Sequence, residues 1–212
     1  MQKAVLLALL CSAAASAGEA VAVIPLPKPE TSGGMPLMHA LAERKSAREF
    51  AADKLPAQVL SNLLWAAYGV NRPDGRRTAP SAMNEQTVDI YVTLPEGAYL
   101  YKAREHRLDL VAPGDFRAAA GQQSFVAEAP LNLVYVADTA KLASSSADDK
   151  LLYTGAETGF IGQNVYLFCA SEGLATVVRA MVDRPPLAKI LKLRPEQRIT
   201  LSQTVGYPKR AH

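Results

Sequence analysis

An α+β fold is expected from three observations. Two long segments carry apolar residues at helical spacing. Several shorter segments alternate apolar and polar residues and read as antiparallel strands. No Gly-x-Gly-x-x-Gly turn follows a strand, which leaves a dinucleotide-binding parallel sheet little support. The 212 residues suffice for one compact domain, and no internal repeat is visible.

The elements follow in order. Residues 18–35 hold Pro25, Pro27, Pro29 and the pair Gly33-Gly34, and read as an extended arm laid over the body or over a second subunit. Pro36 can open a first helix, LMHALAERKS, that ends near Arg48. A second helix begins at Pro56: Leu60, Leu63, Leu64 and Ala67 make an i, i+3, i+4, i+7 stripe, and Gly69 closes it. Residues 70–80, VNRPDGRRTAP, form a polar basic loop. In VDIYVTL, Val88, Ile90, Val92 and Leu94 point one way and Asp89, Tyr91 and Thr93 the other, as in a half-buried strand ending at Pro95-Glu96-Gly97. Short strands at Tyr99 to Tyr101 and Arg107 to Val111 flank a turn at His106. A short helix follows Asp115, and Leu131 to Val136 is the next strand. Asp148 and Asp149 suit the start of a helical block that Gly173 ends. Within it Gly155, Gly159 and Gly162 lie near one face, where backbone can approach a neighbour or a flat ligand. LATVVRAMV, a short helix from Pro185 to Lys192, and RITLSQTVG complete the chain.

Composition excludes several classes. With 49% hydrophobic and 20% charged residues and two cysteines, the chain is neither a disulfide-dense miniprotein nor a disordered tail. A net charge of +3, with no clustered basic face, does not argue for nucleic-acid binding. Lys3 followed by an uncharged, Leu-rich run and Ala15-Ser16-Ala17 reads as a signal peptide over residues 1–17, which implies export to the periplasm or the medium. Its uncharged run would span about 21 Å as a helix, short of a roughly 30 Å hydrocarbon core, so stable membrane insertion is not expected. Cys11 leaves with that segment. Cys169, in the apolar run QNVYLFCA, is then expected to be a buried, inert thiol.

Four stretches could carry chemistry. Arg44-Lys45-Ser46-Ala47-Arg48 offers three cations and a hydroxyl to a phosphate. Arg44 and Arg48 share a face if the helix persists, and a solvated helix end is the alternative. Ser81, Asn84 and Gln86 precede a hydrophobic strand. Their amides can donate to and accept from a heterocycle, or can serve a strand-entry turn. Thr158, Gln163 and Asn164 lie within an apolar helix and suit helix-to-helix hydrogen bonds. Glu172-Gly173-Leu174 ends that helix, and Gly173 lets the turn present amides to a ligand. Arg72, Arg76 and Arg77 could meet an acidic substrate or form a solvated loop. The histidines His39, His106 and His212 lack ligand spacing, so no metal is expected, and no Gly-x-Ser-x-Gly elbow occurs.

In combination, RKSAREF at 44–50, APSAMNEQ at 79–86, TGFIGQNVYLFCASEGLATV at 158–177 and LRPEQRITLSQTVGYPK at 193–209 are more specific than any one of them. The sequence resembles the FMN-dependent nitroreductase family, nearest the branch related to azoline (thiazole- and oxazole-forming) dehydrogenases, over a single domain at 36–210. The resemblance implies an antiparallel-rich central sheet packed by helices, in an intertwined homodimer with two FMN sites at its interface. It gives Arg44, Ser46 and Arg48, with Lys45 among them, to the phosphate and ribityl chain. Ser81, Asn84 and Gln86 go to the flavin or ribityl chain, Glu172, Gly173 and Leu174 to the isoalloxazine edge near N5, and Lys209 or Arg210 to the phosphate. It implies ping-pong transfer from NADH or NADPH to a small acceptor such as a nitro compound, quinone or azoline. The flavin does that chemistry and the side chains position it. A flavin-binding or interaction protein of the cell envelope without turnover is the alternative in a different class.

Overall fold

The computed structural model describes residues 21–143 and 145–209. The expected signal peptide and Arg210 lie outside them.

Seven strands form one sheet in the order β1-β4-β3-β2-β5-β7-β6, and every pairing is antiparallel. They are β1 (Val23–Pro25), β2 (Val88–Leu94), β3 (Gly97–Lys102), β4 (Arg107–Pro113), β5 (Leu131–Asp138), β6 (Ala175–Arg179) and β7 (Gln197–Gly206). The helices are α1 (Leu37–Glu43), α2 (Ala57–Tyr68), α3 (Phe125–Glu128), α4 (Ala147–Ser171) and α5 (Arg184–Ile190). This is the α+β architecture that the antiparallel reading of the strands led to.

Both faces of the sheet are covered. Leu63 and Leu64 of α2 and Ile161 and Val165 of α4 pack on Ile90, Val92, Leu133 and Tyr135. On the opposite face Tyr91, Val134, Val136 and Ile199 meet Leu187 and Leu191. The expectation of a half-exposed β2 is therefore corrected. Its second face, with Tyr91 and Thr93, is also buried, because the α5 layer covers it.

The described part of the arm lies on its own chain. β1 pairs with β4, and the Ser61 hydroxyl donates to Pro27 O at 2.6 Å. Glu30 N donates to Asn62 Oδ1 at 2.9 Å, and Met35 N to Ser171 Oγ at 2.7 Å. His106 backs this strap. Its Nε2 stands 2.7 Å from Ser61 Oγ and its Nδ1 2.9 Å from the Tyr101 hydroxyl.

A second correction concerns α1. It stops at Glu43, and Arg44 already has extended dihedrals (φ −56°, ψ 118°). The reason is tertiary: Ala47 N donates to Thr176 O at 2.9 Å, so the segment runs as extended chain along β6. Arg44 and Arg48 therefore do not share a helical face. Among the described residues, no helix is long and apolar enough to cross a membrane.

Candidate functional site

The site is built where α4 ends. Ser146 caps its N-terminus by accepting from Asp149 N at 3.1 Å, and Asp148 and Asp149 occupy its first turn. At the other end Leu174 N donates to Cys169 O at 2.8 Å and Glu172 N to Phe168 O at 2.9 Å, with Gly173 at φ +67°. This is a Schellman-type stop, and it needs a left-handed residue at position 173. The amides of Glu172 and Leu174 make the bonds of this cap, and among the described residues no backbone bond from Gly173 N is found. A Cβ at Gly173 would meet nothing within 4 Å, so the turn faces open space.

That space is a cavity of about 610 Å³ between α1, α4, β6 and the C-terminal segment. Gly173, Leu174 and Lys45 line it, as expected of site residues. Met35, His39, Tyr166 and Thr176 also line it, and sequence reasoning did not assign them. Tyr166 organises the basic segment. Its hydroxyl pairs with Ser46 Oγ at 2.8 Å and accepts from Val178 N at 3.0 Å, and the Arg44 guanidinium lies 5.1 Å from its ring centroid. An aromatic on the buried stripe of α4, one turn before Cys169, was the available signal. Cys169 is buried, and burial holds its thiol well above the ordinary range, so it is an inert wall here.

Arg48 lies elsewhere. It lines a neighbouring hollow of about 300 Å³ with Lys209, Glu49, Phe50 and Glu128. The Phe50–Pro208 bridge and the Ala51 N to Tyr207 O bond at 2.9 Å bring the two ends of the chain together there. The expected pairing of an early and a late cation thus has a structural basis in Arg48 and Lys209, although two carboxylates share the hollow.

Ser81, Asn84 and Gln86 lie beside the middle of α4, around Glu157. Ser81 Oγ donates to Glu157 Oε2 at 2.7 Å and accepts from Gln86 N at 2.8 Å. Gln86 is held by Arg77 Nε at 2.9 Å and donates to Gly75 O at 3.0 Å. Glu157 and Gly173 are about 24 Å apart along the helix axis, at 1.5 Å per residue. One chain therefore does not bring these three residues to its own Gly173 cavity. Sequence reasoning also missed Glu157. The signal was a carboxylate on the same stripe as Thr154, Ile161 and Val165, all of them buried. Of the three glycines, Gly162 approaches Gln203, while Gly155 and Gly159 face open space. The expected helix-to-helix bonding holds for Asn164 alone, which donates to Ala67 O of α2 at 3.4 Å; Thr158 bonds within α4 and to Thr200 of β7, and Gln163 is exposed. Among the described residues no cluster of potential metal ligands occurs.

The comparisons with known proteins point in one direction. A structure from Ralstonia eutropha, provisionally named a nitroreductase, superposes with a TM-score of 0.86 at 42% identity, covering 93% of this chain and 97% of the other. A Methanocaldococcus jannaschii protein, also provisionally named a nitroreductase, is 35% identical over 165 residues, 73% of this chain and 83% of its own. The NADPH:FMN oxidoreductase of Vibrio harveyi, solved with NAD+, shares the fold at a TM-score of 0.61 and 19% identity, over 82% of this chain and 69% of the other. The model of the nitroreductase family matches residues 41–207, and the chain belongs to that family.

Proposed function

We propose that the protein is an exported, FMN-dependent oxidoreductase that works as a homodimer, each flavin site being shared by two copies. Family membership supports flavin-dependent redox chemistry on a small molecule. The observation that carries the shared site is the division of the expected binding residues. Arg44, Lys45, Ser46, Gly173 and Leu174 gather at the C-terminal end of α4, and Ser81, Asn84 and Gln86 beside its middle, around Glu157. A second copy placed antiparallel along α4 would bring the 81–86 segment of one chain to the cavity of the other. The outer face of α4 suits this. Leu151, Leu152 and Phe160 are exposed, and Gly155 and Gly159 leave room for close backbone approach.

The residues present fit a flat, phosphorylated ligand. The open cradle at Gly173 can take a ring edge, the largely apolar walls can take its faces, and the cations of the 44–48 segment and Lys209 can hold a phosphate. Bound FMN would accept a hydride, from NADH, NADPH or another donor, and pass the electrons in a second half-reaction to a nitro compound, a quinone or an azoline-like acceptor. The chain's own part is placement. The Gly173 amide would offer a donor to a ring edge where negative charge develops, Leu174 would help keep water from that edge, and Arg44, braced against Tyr166, would help hold the phosphate. The signal-like residues 1–17 support export, which favours an electron donor other than cytoplasmic nicotinamide nucleotides.

Mixing two defective chains tests the shared site. Arg44→Ala/Arg48→Ala removes the cations, and Asn84→Gly removes the amide while keeping the left-handed backbone. Each homodimer should purify without flavin absorption. After subunit exchange, about a quarter of all sites should regain yellow, reducible FMN, because half the dimers then carry one intact site of two. No recovery, with wild-type protein binding FMN, would exclude a site built from both chains. Colourless wild-type protein that ignores added FMN would exclude the flavin.

A further inference from the structure

We infer that Glu157, a buried carboxylate in the middle of α4, is the positioning residue that locks the 81–87 loop into its ligand-presenting shape, so that Asn84 is held ready for the cavity of the partner chain. The inference rests on the shared-site reading above and adds a residue to it.

Glu157 is 2% exposed and accepts four hydrogen bonds. Tyr68 and Val88 N donate to Oε1, the latter at 3.1 Å; Ser81 and Thr87 donate to Oε2 at 2.7 and 2.8 Å. Three of the four donors, Ser81, Thr87 and Val88, come from the loop and the first residue of the strand after it. Every partner is a donor, so the arrangement is complementary to a carboxylate. Among the described residues no lysine or arginine forms an ion pair with it. The nearest cation acts through a ring: the Arg77 guanidinium lies 4.3 Å from the Tyr68 ring centroid and also donates to Gln86.

The carboxylate holds a loop that does not adopt its shape freely. Met83, Asn84 and Gln86 have φ of 53°, 57° and 48°. Asn tolerates the left-handed region, whereas Met and Gln do not favour it. Such backbone persists only where the surroundings over-determine it, and it clusters at functional sites. Here the loop is pinned from below by Glu157 and from the side by Arg77 and by Lys141, whose Nζ donates to Gln86 O at 2.8 Å. Met83, 67% exposed, stands at the crown beside Asn84. A loop needed only to enter β2 would have no use for an exposed methionine held in strained backbone.

The substitution Glu157→Gln keeps the size and removes the match. Its NH₂ must face either the Tyr68/Val88 N pair or the Ser81/Thr87 pair. Val88 N cannot turn to accept, so the amide faces the hydroxyls, and Ser81 Oγ already accepts from Gln86 N. Thr87→Val removes one loop donor, and Tyr68→Phe removes one donor from α2 and leaves the loop donors in place.

The experiment measures FMN dissociation constants by fluorescence quenching, and amide hydrogen exchange at residues 84–86 in the flavin-free protein. Glu157→Gln and Thr87→Val should weaken FMN at least tenfold and about threefold, with faster exchange at Gln86 and unchanged exchange in β5. Tyr68→Phe should lower thermal stability as Thr87→Val does, yet leave FMN affinity within twofold. If Glu157→Gln does not fold, the Thr87→Val and Tyr68→Phe pair decides. Equal FMN affinity and equal exchange at Gln86 in wild type and Thr87→Val would overturn the anchor and leave the flavin reading intact. Equal loss of affinity in Tyr68→Phe and Thr87→Val would reduce Glu157 to a general stabiliser and also overturn it. Wild-type protein without FMN affinity would remove the reading on which the inference rests, and the inference with it.

Discussion

Arg179 shows how individual residues hold the sheet that carries the Gly173 turn. It stands at the end of β6, 6% exposed, and no carboxylate pairs with it among the described residues. Neutral acceptors replace one: Ala120 O at 3.1 Å, Asn132 Oδ1 at 3.1 Å, Ser202 Oγ at 3.2 Å and Thr204 Oγ1 at 2.6 Å. Burial pulls its pKa down to about 10, which still leaves it charged at neutral pH. Its Nη1 and Nη2 are met by these acceptors while Nε is buried without a partner among the described residues, so the position of the guanidinium and the space around it are set by the two terminal nitrogens. Gly121 is part of that space. Its φ of 177° is open to any residue, so conformation does not require glycine there. Room does, because a Cβ at this position would overlap Arg179 Nη1 and approach Val126 Cγ2 to 3.1 Å. Gly121→Ala should therefore cost about 1–3 kcal/mol, as overpacking does, read as a lower urea midpoint with an unchanged m-value. A stability equal to wild type would mean that the guanidinium moves aside freely.

At the scale of elements, α4 decides most of the outcome, and it was readable in part. Its bounds were visible in Asp148, Asp149 and Gly173, because caps and dipoles are local chemistry. The apolar stripe of α2 and the alternation in β2 were visible for the same reason. The early end of α1 was not, because the hydrogen bond from Ala47 N to Thr176 O comes from a strand about 130 residues later in the chain. The burial of Tyr91 and Thr93 was hidden likewise, since a second covering layer leaves no mark on the period of the strand it covers. The candidate site residues were singled out by their chemistry, and their separation along α4 follows from three-dimensional placement, which spacing does not encode. The open face of α4 yields a test. In a lone chain a Cβ at position 159 meets nothing within 4 Å, and replacing a helical glycine gains up to about 1 kcal/mol of helix propensity. Gly159→Leu should then stabilise the separated subunit against urea, while, on the proposed antiparallel contact, it weakens self-association at least tenfold in sedimentation equilibrium, because the leucine would fill the gap a facing helix needs. Unchanged association would move the subunit contact off this face.

For the whole molecule, the seven-stranded sheet with a core on each face gives each chain a folded body of its own, while the groups proposed to meet the ligand stay apart within it. Binding and assembly must then be linked. If FMN touches the Gly173 cavity of one chain and Asn84 of the other, it binds the dimer more tightly than the monomer. By reciprocity it tightens the dimer by the same factor. On that proposal a monomer would retain only the part of the site that holds Lys45, Ser46 and Gly173, so the factor should be at least tenfold, about 1.4 kcal/mol. Saturating FMN at about 100 times its dissociation constant should also stabilise the fold by about 2.7 kcal/mol through mass action. The decisive measurement is sedimentation velocity over a dilution series with and without FMN. The midpoint of dissociation should move at least tenfold lower in its presence, and the Arg44→Ala/Arg48→Ala protein should show no movement. Two coincident dilution curves for wild type, in a protein that does bind FMN, would mean that a single chain holds the whole cofactor. The 81–87 loop would then serve something other than the flavin.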